Sequence, residues 1–382
     1  LMSMEYGAEA INRHRASRGK VSIASKMVVE TLDDLSIAYT PGVASVCMAI
    51  ADDKSESFQL TNRANAVAVV TDGSAVLGLG NIGPEAAMPV MEGKSILFKA
   101  LADIDAFPIC LDTQDNDAII QTVRYLAPSF GGINLEDIAA PRCFEIEDAL
   151  QDLGIPVFHD DQHGTAIAVL AGVINALLVT GRRIEDTKFV FAGAGAGGIG
   201  STKLLLDHGA TNVTLVDSTG IISRNRSDLT AVKSAMLDTT NPDNTHGGLA
   251  DAMRGADVFI GLSAADAVSP EMVSSMAKDS IVFAMANPIP EIWPDVARAA
   301  GAAVVGTGRS DFPNQINNSL VFPGVFRGAL DSRATRVTTR MKLAAATALA
   351  GLVPEPTPEN VIPWSLDREV AKVVSQAVSG SV

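Results

Sequence analysis

Carboxylates and histidines cluster at two places in the first half of the chain, and together they have the composition of a divalent-metal site. Glu136 and Asp137 are adjacent, and the run from His159 to His163 contains Asp161 and a second aspartate. Three carboxylates that meet at one place repel each other unless they share a cation or a proton. Hard oxygen ligands suit Mg²⁺ or Mn²⁺, which keep positions open for substrate oxygens.

Two other interpretations of these residues stay open from the sequence alone. The histidines at 159 and 163 admit zinc, although a strand–turn context lacks the helical geometry of common zinc motifs. Asp161 also precedes a long helical pattern, where an aspartate commonly serves as the N-cap. The capping role and the metal role are compatible with each other.

Lys94 is the candidate general base. In a helix, Lys94 shares one face with Leu97, Phe98 and Leu101. A lysine on an apolar face is costly unless it is paired or its pKa falls, and a lowered pKa is what a general base needs. The alternative is that its ammonium group reaches solvent along the methylene stem.

Tyr39 is a candidate site residue. It precedes Thr40-Pro41, where Thr40 is expected to cap a helix and Pro41 to be the first helical residue. The phenol would then lie near a helix amino end, where it could hold substrate or form a phenolate. The alternative is that Tyr39 is only a packing residue.

A glycine-rich segment between a predicted strand and a predicted helix matches the dinucleotide fingerprint G-x-G-x-x-G. Such a loop needs glycine because the turn is tight and the backbone approaches the pyrophosphate at the helix amino end. The predicted cofactor-binding positions in this loop are Gly193, Gly195, Ala196, Gly197 and Gly198. Asp217 ends the next predicted strand and would bind ribose hydroxyls, which favours NAD. Arg224 and Arg226 could instead meet a 2′-phosphate, so the cofactor is predicted as NAD or NADP.

Short apolar and β-branched runs alternate with helical patterns, which predicts an α/β protein with mostly parallel sheets. The predicted strands are 66–71, 107–111, 133–135, 156–158, 188–192, 212–216, 257–262, 280–286 and 302–306. Acidic or amide residues follow six of them, so we expect a polar cleft at the carboxyl edge of the sheets. A long apolar helix at 163–180 sets the predicted boundary between a substrate and metal domain (1–162) and a doubly wound Rossmann-type domain with C-terminal helices (163–382).

Composition excludes several classes of protein. The chain has 382 residues, 47% hydrophobic and 19% charged, which argues against global disorder. Its net charge is 29 − 44 = −15, which argues against partners such as nucleic acid or an anionic membrane. The charge-free stretch 162–181 approaches the length of a membrane span, but a buried core helix has the same composition. Three scattered cysteines and an N-terminus without a basic-then-apolar pattern favour the cytoplasm.

Taken together, these segments resemble malic enzymes, specifically the short bacterial form, in one colinear order from about residue 20 to about 350. The matching segments are SIAYTPGV at 36–43, TDGSAVLGLGNIG at 71–83, PVMEGKSILFK at 89–99, GGINLEDI at 131–138, PVFHDDQHGTA at 156–166, NP at 287–288 and NNSLVFPG at 317–324. The resemblance implies oxidative decarboxylation of (S)-malate to pyruvate and CO₂ with reduction of NAD or NADP. It also implies a homodimer or a larger homo-oligomer.

The resemblance further implies roles for individual residues. Lys94 corresponds to the general base and Tyr39 to the acid that protonates the enolpyruvate carbon. The implied metal ligands for Mg²⁺ or Mn²⁺ are Glu136, Asp137 and Asp161. The implied amides that hold substrate near the nicotinamide are Asn287 and Asn318.

The sequence departs from the family pattern at one point. The longer eukaryotic form has an arginine that contacts substrate in the loop after Thr71, whereas this chain has Ser74-Ala75-Val76 there. Another cation must then bind the substrate carboxylate, and Lys99 is a candidate. Two further functions stay open: a malolactic-type or other metal-assisted 2-hydroxy-acid dehydrogenase, and a nicotinamide-binding sensor without turnover.

Overall fold

The computed structural model describes residues 2–382, apart from the side chains of residues 2–5 and 77. The strands are β1 Ala66–Thr71, β2 Asp105–Cys110, β3 Gly132–Leu135, β4 Val157–His159, β5 Lys188–Ala192, β6 Asn212–Asp217, β7 Gly220–Ile221, β8 Val258–Gly261, β9 Ile281–Ala284 and β10 Val304–Thr307. The first helices are α1 Met2–Ser17, α2 Leu32–Ala38, α3 Val43–Asp52, α4 Ser57–Leu60, α5 Pro84–Ala102, α6 Asn116–Leu126, α7 Arg142–Ala149 and α8 Asp160–Thr180. The others are α9 Ala196–Asp207, α10 Ala231–Met236, α11 Leu249–Met253, α12 Pro270–Ser274, α13 Pro294–Ala299, α14 Phe322–Asp331, α15 Thr339–Gly351 and α16 Arg368–Ser379.

The first sheet brings the carboxyl ends of three strands together. It has the order β2-β1-β3-β4, and all its strands are parallel. Every residue of β1 is buried, as expected for a strand that is covered on both faces. Val70 pairs with Leu135, and Leu135 pairs with His159. The residues that follow β1, β3 and β4 therefore lie side by side at one edge.

The second sheet has the doubly wound arrangement that the alternation of elements predicts. Its order is β10-β9-β8-β5-β6-β7, and only β7 is antiparallel to its neighbour. Ala192 at the end of β5 pairs with Val216 on one side and with Gly261 on the other. The strand order reverses at this point, which is where ligands bind in open α/β sheets. The predicted α/β class is confirmed, and only the two-residue β7 was not anticipated.

Helix α8 is a core helix. Most of its length is buried, and it packs against α9 and α15. The structure gives the N-cap role to His159, whose Nδ1 accepts a hydrogen bond from the backbone of Gln162 at 3.3 Å. The alternative that Asp161 is the N-cap is therefore wrong: Asp161 lies in the first helical turn, where its charge is favourable for the helix dipole.

Two stretches are long and apolar enough to cross a membrane by length and composition alone, 160–180 and 32–52. Two-thirds of the apolar window in 160–180 is buried in the protein, whereas none of the window in 32–52 is buried. The second stretch contains α2 and α3, in which no residue is buried. These two helices therefore leave an apolar surface without a cover inside the single chain.

The C-terminal helices contact the first half of the chain as well as the second. Helix α14 packs on α5, and the ring of Phe98 lies 4.7 Å from that of Phe322 and 5.4 Å from that of Phe326. One hydrophobic core runs through residues on both sides of position 162. The domain boundary at 162/163 stays a prediction. The contact matters because α5 is the helix that carries Lys94.

Candidate active site

The carboxyl edge of the first sheet gathers three of the predicted metal ligands. Glu136 and Asp137 follow β3, and Asp161 lies in the first turn of α8 directly after β4. Each of the three offers a carboxylate oxygen within 4.8 Å of the others. The backbone N–H of Asp137 also donates to Oδ2 of Asp161 at 2.8 Å, which ties the two strand ends together. The structure thus brings together all three residues that the sequence singled out.

The electrostatics of this cluster suit a hard divalent cation. Burial raises the pKa of Glu136 to about 7, and the neighbouring charge of Asp161 adds to that rise while Lys94 opposes it. Burial also raises the pKa of Asp161. Carboxylates that repel each other at low exposure are stabilised by a cation, and an all-oxygen set fits Mg²⁺ or Mn²⁺.

Zinc is not favoured by the arrangement of the histidines. Among the described residues, the metal-type cluster contains neither His159 nor His163. The ring of His163 instead contacts Glu147, with 2.9 Å between Nε2 and the carboxylate. His159 is occupied with capping α8. His163 therefore pairs with Glu147 instead of the cluster, while His159 caps α8 through Nδ1 and places Nε2 3.8 Å from Oδ2 of Asp161.

Lys94 is buried next to the metal-type carboxylates. Its side chain is 7% exposed, and its Nζ lies 2.5 Å from Oε1 of Glu136 and bonds the carboxylate of Asp160. The ammonium group also lies 4.3 Å from the centre of the Phe322 ring. Burial favours the neutral amine, but the charges of Asp160 and Glu136 outweigh it and hold the pKa of Lys94 above its ordinary value. Of the two alternatives for a lysine on an apolar face, pairing and a lowered pKa, the structure shows pairing.

The two predicted substrate amides lie in different surroundings. Asn318 begins a short 3₁₀ turn, Asn318–Leu320, and its Nδ2 donates to Oδ2 of Asp160 at 2.6 Å. Asn318 and Lys94 therefore share one carboxylate. Asn287 follows β9, and its carbonyl oxygen approaches Gly78 so closely that a Cβ there would lie 2.2 Å away. Asn287 thus lies where the loop 73–83 of the first half meets the second half.

Tyr39 is not placed as the sequence predicts. Helix α3 begins at Val43 with Gly42 as its N-cap, so Thr40 and Pro41 do not start it. The N–H of Gly42 bonds the carbonyl of Ser36 at 2.8 Å, which closes the end of α2 and makes Tyr39 its C-cap. The Tyr39 side chain is 68% exposed. Its hydroxyl has no hydrogen bond to any described residue of the same chain.

Lys99 lies away from the carboxylate cluster. It binds Asp105 at 2.9 Å and the neighbouring Asp103, and it is 55% exposed. Asp105 begins β2, so this ion pair lies at the amino edge of the sheet rather than at the edge with the carboxylates. Lys99 lies five positions after Lys94 on α5, so it is further along the helix and away from the carboxylate edge. This position does not support Lys99 as the cation that binds the substrate carboxylate.

Two functional neighbours escaped sequence reasoning. Asp160 binds both Lys94 and Asn318. Because Asp160 and Asp161 are adjacent in the sequence, no pattern indicates which of the two pairs with the lysine and which is the metal-ligand candidate. Arg142 places Nη2 2.6 Å from buried Asp72 and 3.0 Å from the hydroxyl of Ser74. Arg142 thus lies at the loop 74–76, where the sequence departs from the family pattern. Because Arg142 is far from Asp72 and Ser74 in the chain, no sequence motif indicates this contact.

The cofactor loop borders a cavity of about 690 Å³ at the carboxyl edge of the second sheet. Gly193 has φ +104°, and a Cβ there would lie 2.1 Å from the carbonyl oxygen of Leu262. A Cβ at Gly198 would lie 1.8 Å from the carbonyl oxygen of Gly193. Only glycine therefore fits at these two places. Gly195 is the N-cap of α9 and lines the cavity, and Ala196 begins the helix. The first N–H groups of α9, which have no partner within the helix, therefore lie beside the cavity.

The start of α9 also contacts the start of α8. A Cβ at Gly197 would lie 3.3 Å from the carbonyl oxygen of Asp161, and one at Gly200 would lie 2.5 Å from that of Gln162. The cofactor helix and the metal-bearing turn are therefore neighbours.

Asp217 lines the same cavity with its carboxylate already occupied. It accepts bonds from Arg226 at 2.7 Å, from Lys233 at 2.6 Å and from the N–H of Thr219 at 3.0 Å. Burial would raise the pKa of Asp217, but these donors outweigh it and hold that pKa at about 2. Lys233 lines the cavity and was not foreseen. Arg224 was expected at a 2′-phosphate, but it instead bonds the carbonyl of Leu237 at 2.8 Å.

The chain was then compared with known proteins. Residues 18–120 and 113–151 match the family described as malic enzyme, N-terminal domain, and residues 162–382 match malic enzyme, NAD binding domain. A bifunctional malic/malolactic enzyme of Bacillus subtilis is 54% identical over 98% of this chain and 93% of its own length. An NADP-dependent malic enzyme of Rhizobium meliloti is 50% identical over 92% of this chain and 47% of its own length.

A solved structure has the same fold over nearly the whole chain. It is the crystal structure of an NAD-dependent malic enzyme from Thermotoga maritima, which is 49% identical in sequence. The alignment covers 98% of this chain and 99% of that one, with a TM-score of 0.95. The likeness thus includes both sheets and the C-terminal helices.

Proposed function

The chain belongs to the malic enzyme family, and from this premise we propose that it carries out the divalent-metal-dependent oxidative decarboxylation of (S)-malate to pyruvate and CO₂, reducing NAD or NADP. One observation supports this most strongly. The Lys94 ammonium is buried between Glu136 and Asp160, beside a three-carboxylate cluster. The proposed base and the proposed metal ligands thus lie at the carboxyl edge of the first sheet, and the start of the proposed cofactor helix α9 is next to the turn that carries Asp161.

Glu136, Asp137 and Asp161 would hold Mg²⁺ or Mn²⁺. When bound there, the cation supplies Lewis-acid stabilisation to the substrate oxygens on which negative charge develops. The residues themselves contribute a fixed geometry, since Glu136 and Asp137 follow one strand and Asp161 follows its neighbour. This arrangement gives a binding site before substrate arrives.

To act as the base, Lys94 must first lose the proton that its ion pairs with Glu136 and Asp160 favour; the neutral amine would then take the proton of the C2 hydroxyl, and the hydride would leave C2 for a bound NAD or NADP. The C2–O bond becomes a carbonyl, and the C3–C4 bond then breaks to release CO₂. Asn318 shares Asp160 with Lys94, so it holds substrate next to the base. Asn287 contributes its amide where the two halves meet. Tyr39 donates the last proton to carbon.

We infer that the protein is a homodimer in which Tyr39 completes the site of a second copy. The N-terminal apolar face consists of the exposed large apolar residues of the segment 21–48. They are Val21, Ile23, Met27, Val28, Val29, Leu32, Leu35, Ile37, Tyr39 and Met48. An exposed patch of this kind marks an interaction surface. A second copy is the occupant that would bury the surface and give the tyrosine a substrate to protonate.

Mixed dimers test this inference. Tyr39→Phe and Lys94→Ala are each expected to be inactive, because each removes one proton-transfer group. When the two variants are dissociated together and reassociated, activity should return to about a quarter of wild type, because about half of the dimers are mixed and each has one intact site. If Tyr39 acts within its own subunit, no mixed dimer has an intact site and the mixture stays inactive.

The proposed substrate is tested by supplying the purified protein with Mn²⁺, NAD or NADP, and one 2-hydroxy acid at a time. Reduced cofactor should form with (S)-malate and not with lactate, which lacks the second carboxylate. Comparable rates with lactate would support a general 2-hydroxy-acid dehydrogenase instead. No reduction with any of these acids would favour a sensor without turnover.

A malolactic reaction is a second candidate, because the Bacillus subtilis relative is named for both activities. In that reaction malate yields lactate and CO₂ without net reduction of the cofactor. With NAD far below the concentration of malate, lactate would accumulate beyond the amount of NAD. Pyruvate limited by the amount of NAD would show oxidative decarboxylation alone.

Lys233 is expected to determine the use of NADP. Its ammonium faces the cavity and can bond a 2′-phosphate, whereas a ribose diol must compete for the occupied carboxylate of Asp217. Lys233→Met should lower kcat/KM for NADP about tenfold or more and change that for NAD by less than about twofold. Steady-state assays with each cofactor measure the ratio. Arg224→Gln is the control and should leave the ratio unchanged; an equal loss for both cofactors in Lys233→Met would contradict the role.

The proposal places the enzyme in the cytoplasm. All three cysteines, Cys47, Cys110 and Cys143, are free thiols. Free cysteines, one of them exposed, are compatible with a reducing compartment. That compartment also supplies the nicotinamide cofactor that the reaction consumes.

A further inference from the structure

We propose that Glu147 is a positioning residue that sets the first turn of α8, and hence the orientation of the ligand Asp161 and of the Lys94 neighbour Asp160. Glu147 lies on α7, outside the carboxylate cluster, and contacts none of the predicted ligands. The inference rests on the proposed metal site, because Asp161 is the residue that it positions. It concerns how this chain holds that site in place.

Glu147 bonds both sides of the strand-to-helix junction. It is 5% exposed, and its Oε1 accepts from the backbone N–H of His159, the last residue of β4, at 3.0 Å. Its Oε2 accepts from the side chain of Gln162 and lies 2.9 Å from Nε2 of His163. Both of these residues belong to the first turn of α8. No loop separates β4 from α8, so one carboxylate fixes the angle at which the helix leaves the strand.

A lysine from the distant helix α15 completes the arrangement. Lys342 places Nζ 3.0 Å from Nδ1 of His163. The same ammonium lies 3.2 Å from Nε2 of His163, the ring nitrogen that also contacts Glu147. Burial would raise the pKa of Glu147, but His163 and the nearby positive charges hold it at about 2. The carboxylate is therefore ionised, and its charge is matched by Lys342 through one imidazole ring.

The alternative is that Glu147 only stabilises the fold. A buried carboxylate with several donors stabilises a protein wherever it lies, and its loss leaves those donors without an acceptor. A positioning role predicts more than a lower Tm. It predicts weaker metal binding, because Asp161 lies in the chain between His159 and Gln162, two of the three residues that Glu147 bonds.

The experiment measures Mn²⁺ binding without substrate, by the electron paramagnetic resonance signal of free Mn²⁺, together with Tm. Glu147→Gln keeps the size of the side chain and loses its charge. We expect its Kd for Mn²⁺ to rise about tenfold or more, in the range seen for residues that orient metal ligands. Lys342→Gln should shift Kd in the same direction by a smaller factor, and it decides the matter if Glu147→Gln does not fold.

Asp257→Asn is the matched control. Asp257 is a carboxylate that likewise holds a strand, since it accepts from the N–H of Lys188 at 2.9 Å and from Arg182 at 3.1 Å, but it lies at the amino edge of the second sheet. Its loss should lower Tm and leave the Kd for Mn²⁺ unchanged. An unchanged Kd in Glu147→Gln, or in Lys342→Gln if the first variant is insoluble, would overturn the positioning role.

Failure of the underlying metal site has a different signature. If wild type binds no Mn²⁺, or if Asp161→Asn binds it as well as wild type does, the proposed ligand set is wrong and the positioning role falls with it. If wild type binds Mn²⁺, Asp161→Asn loses it, and Glu147→Gln binds like wild type, only the role of Glu147 is refuted.

Discussion

Lys94→Ala is expected to lower kcat for malate oxidation by about 10²–10⁴-fold, the range that a positioned general base contributes. The amine lies 2.5 Å from Oε1 of Glu136, one of the three clustered carboxylates, and also bonds Asp160. Without it, the proton of the C2 hydroxyl has no acceptor of suitable basicity. The cofactor cavity is formed by other residues, so the affinity for reduced cofactor should stay close to wild type. Fluorescence titration with NADH or NADPH measures that affinity.

The substitution also leaves Glu136 and Asp160 buried without their cation, which costs stability. A comparison of Lys94→Ala with Lys94→Met, with Tm measured for both, separates this loss of stability from the loss of catalysis. Both variants lose the base, but the methionine side chain fills the space that alanine leaves empty. Lys99→Ala is the control on the same helix, because Lys99 is exposed and bonds residues at the opposite edge. It should turn over like wild type. Turnover of a folded Lys94→Ala protein at nearly the normal rate would rule out Lys94 as the base.

Asp161→Asn is expected to weaken Mn²⁺ binding by about 100-fold or more, because it removes a charged ligand rather than a residue that orients one. The amide oxygen of the variant can still accept from the N–H of Asp137, a bond that measures 2.8 Å in the native protein. The fold should therefore be preserved while malate oxidation falls with the metal. Direct Mn²⁺ titration, with malate oxidation followed in parallel, measures both quantities.

Asp115→Asn is the corresponding control. Asp115 caps α6 by accepting from the N–H of Ala118 at 2.8 Å, and asparagine caps a helix about as well as aspartate does. Like Asp161→Asn, Asp115→Asn removes one negative charge from the start of a helix that follows a strand of the first sheet. Its Mn²⁺ affinity should match wild type. Full Mn²⁺ affinity in Asp161→Asn would show that Asp161 is not a ligand.

The strands could be predicted from the sequence because most of them are buried on both faces. Such strands give continuous apolar runs, and β1 and β5 begin and end where the runs do. The two-residue β7 was missed because a run that short has no pattern. The glycine spacing at 193–198 was informative for a similar reason, since two of its positions admit no side chain.

The contacts of the candidate site were harder to predict, because they join residues far apart in the chain. Lys94 could be singled out from its apolar helix face, but its ion pair with Asp160 depends on how α5 lies across the sheet. The position of Tyr39 was mispredicted because local capping rules favour Thr40, whereas the turn is closed by the bond from Gly42 to Ser36. Glu147 and Lys342 meet through His163, and no sequence spacing signals such a pair.

The stoichiometry of the reaction tests the central claim most directly. The purified protein is incubated with (S)-malate and excess NAD or NADP, with and without Mn²⁺, and reduced cofactor, pyruvate and lactate are all measured. Equal amounts of pyruvate and reduced cofactor, with neither formed when Mn²⁺ is withheld, are the predicted result. Reduced cofactor without pyruvate, lactate in place of pyruvate, or full turnover without a divalent cation would contradict it.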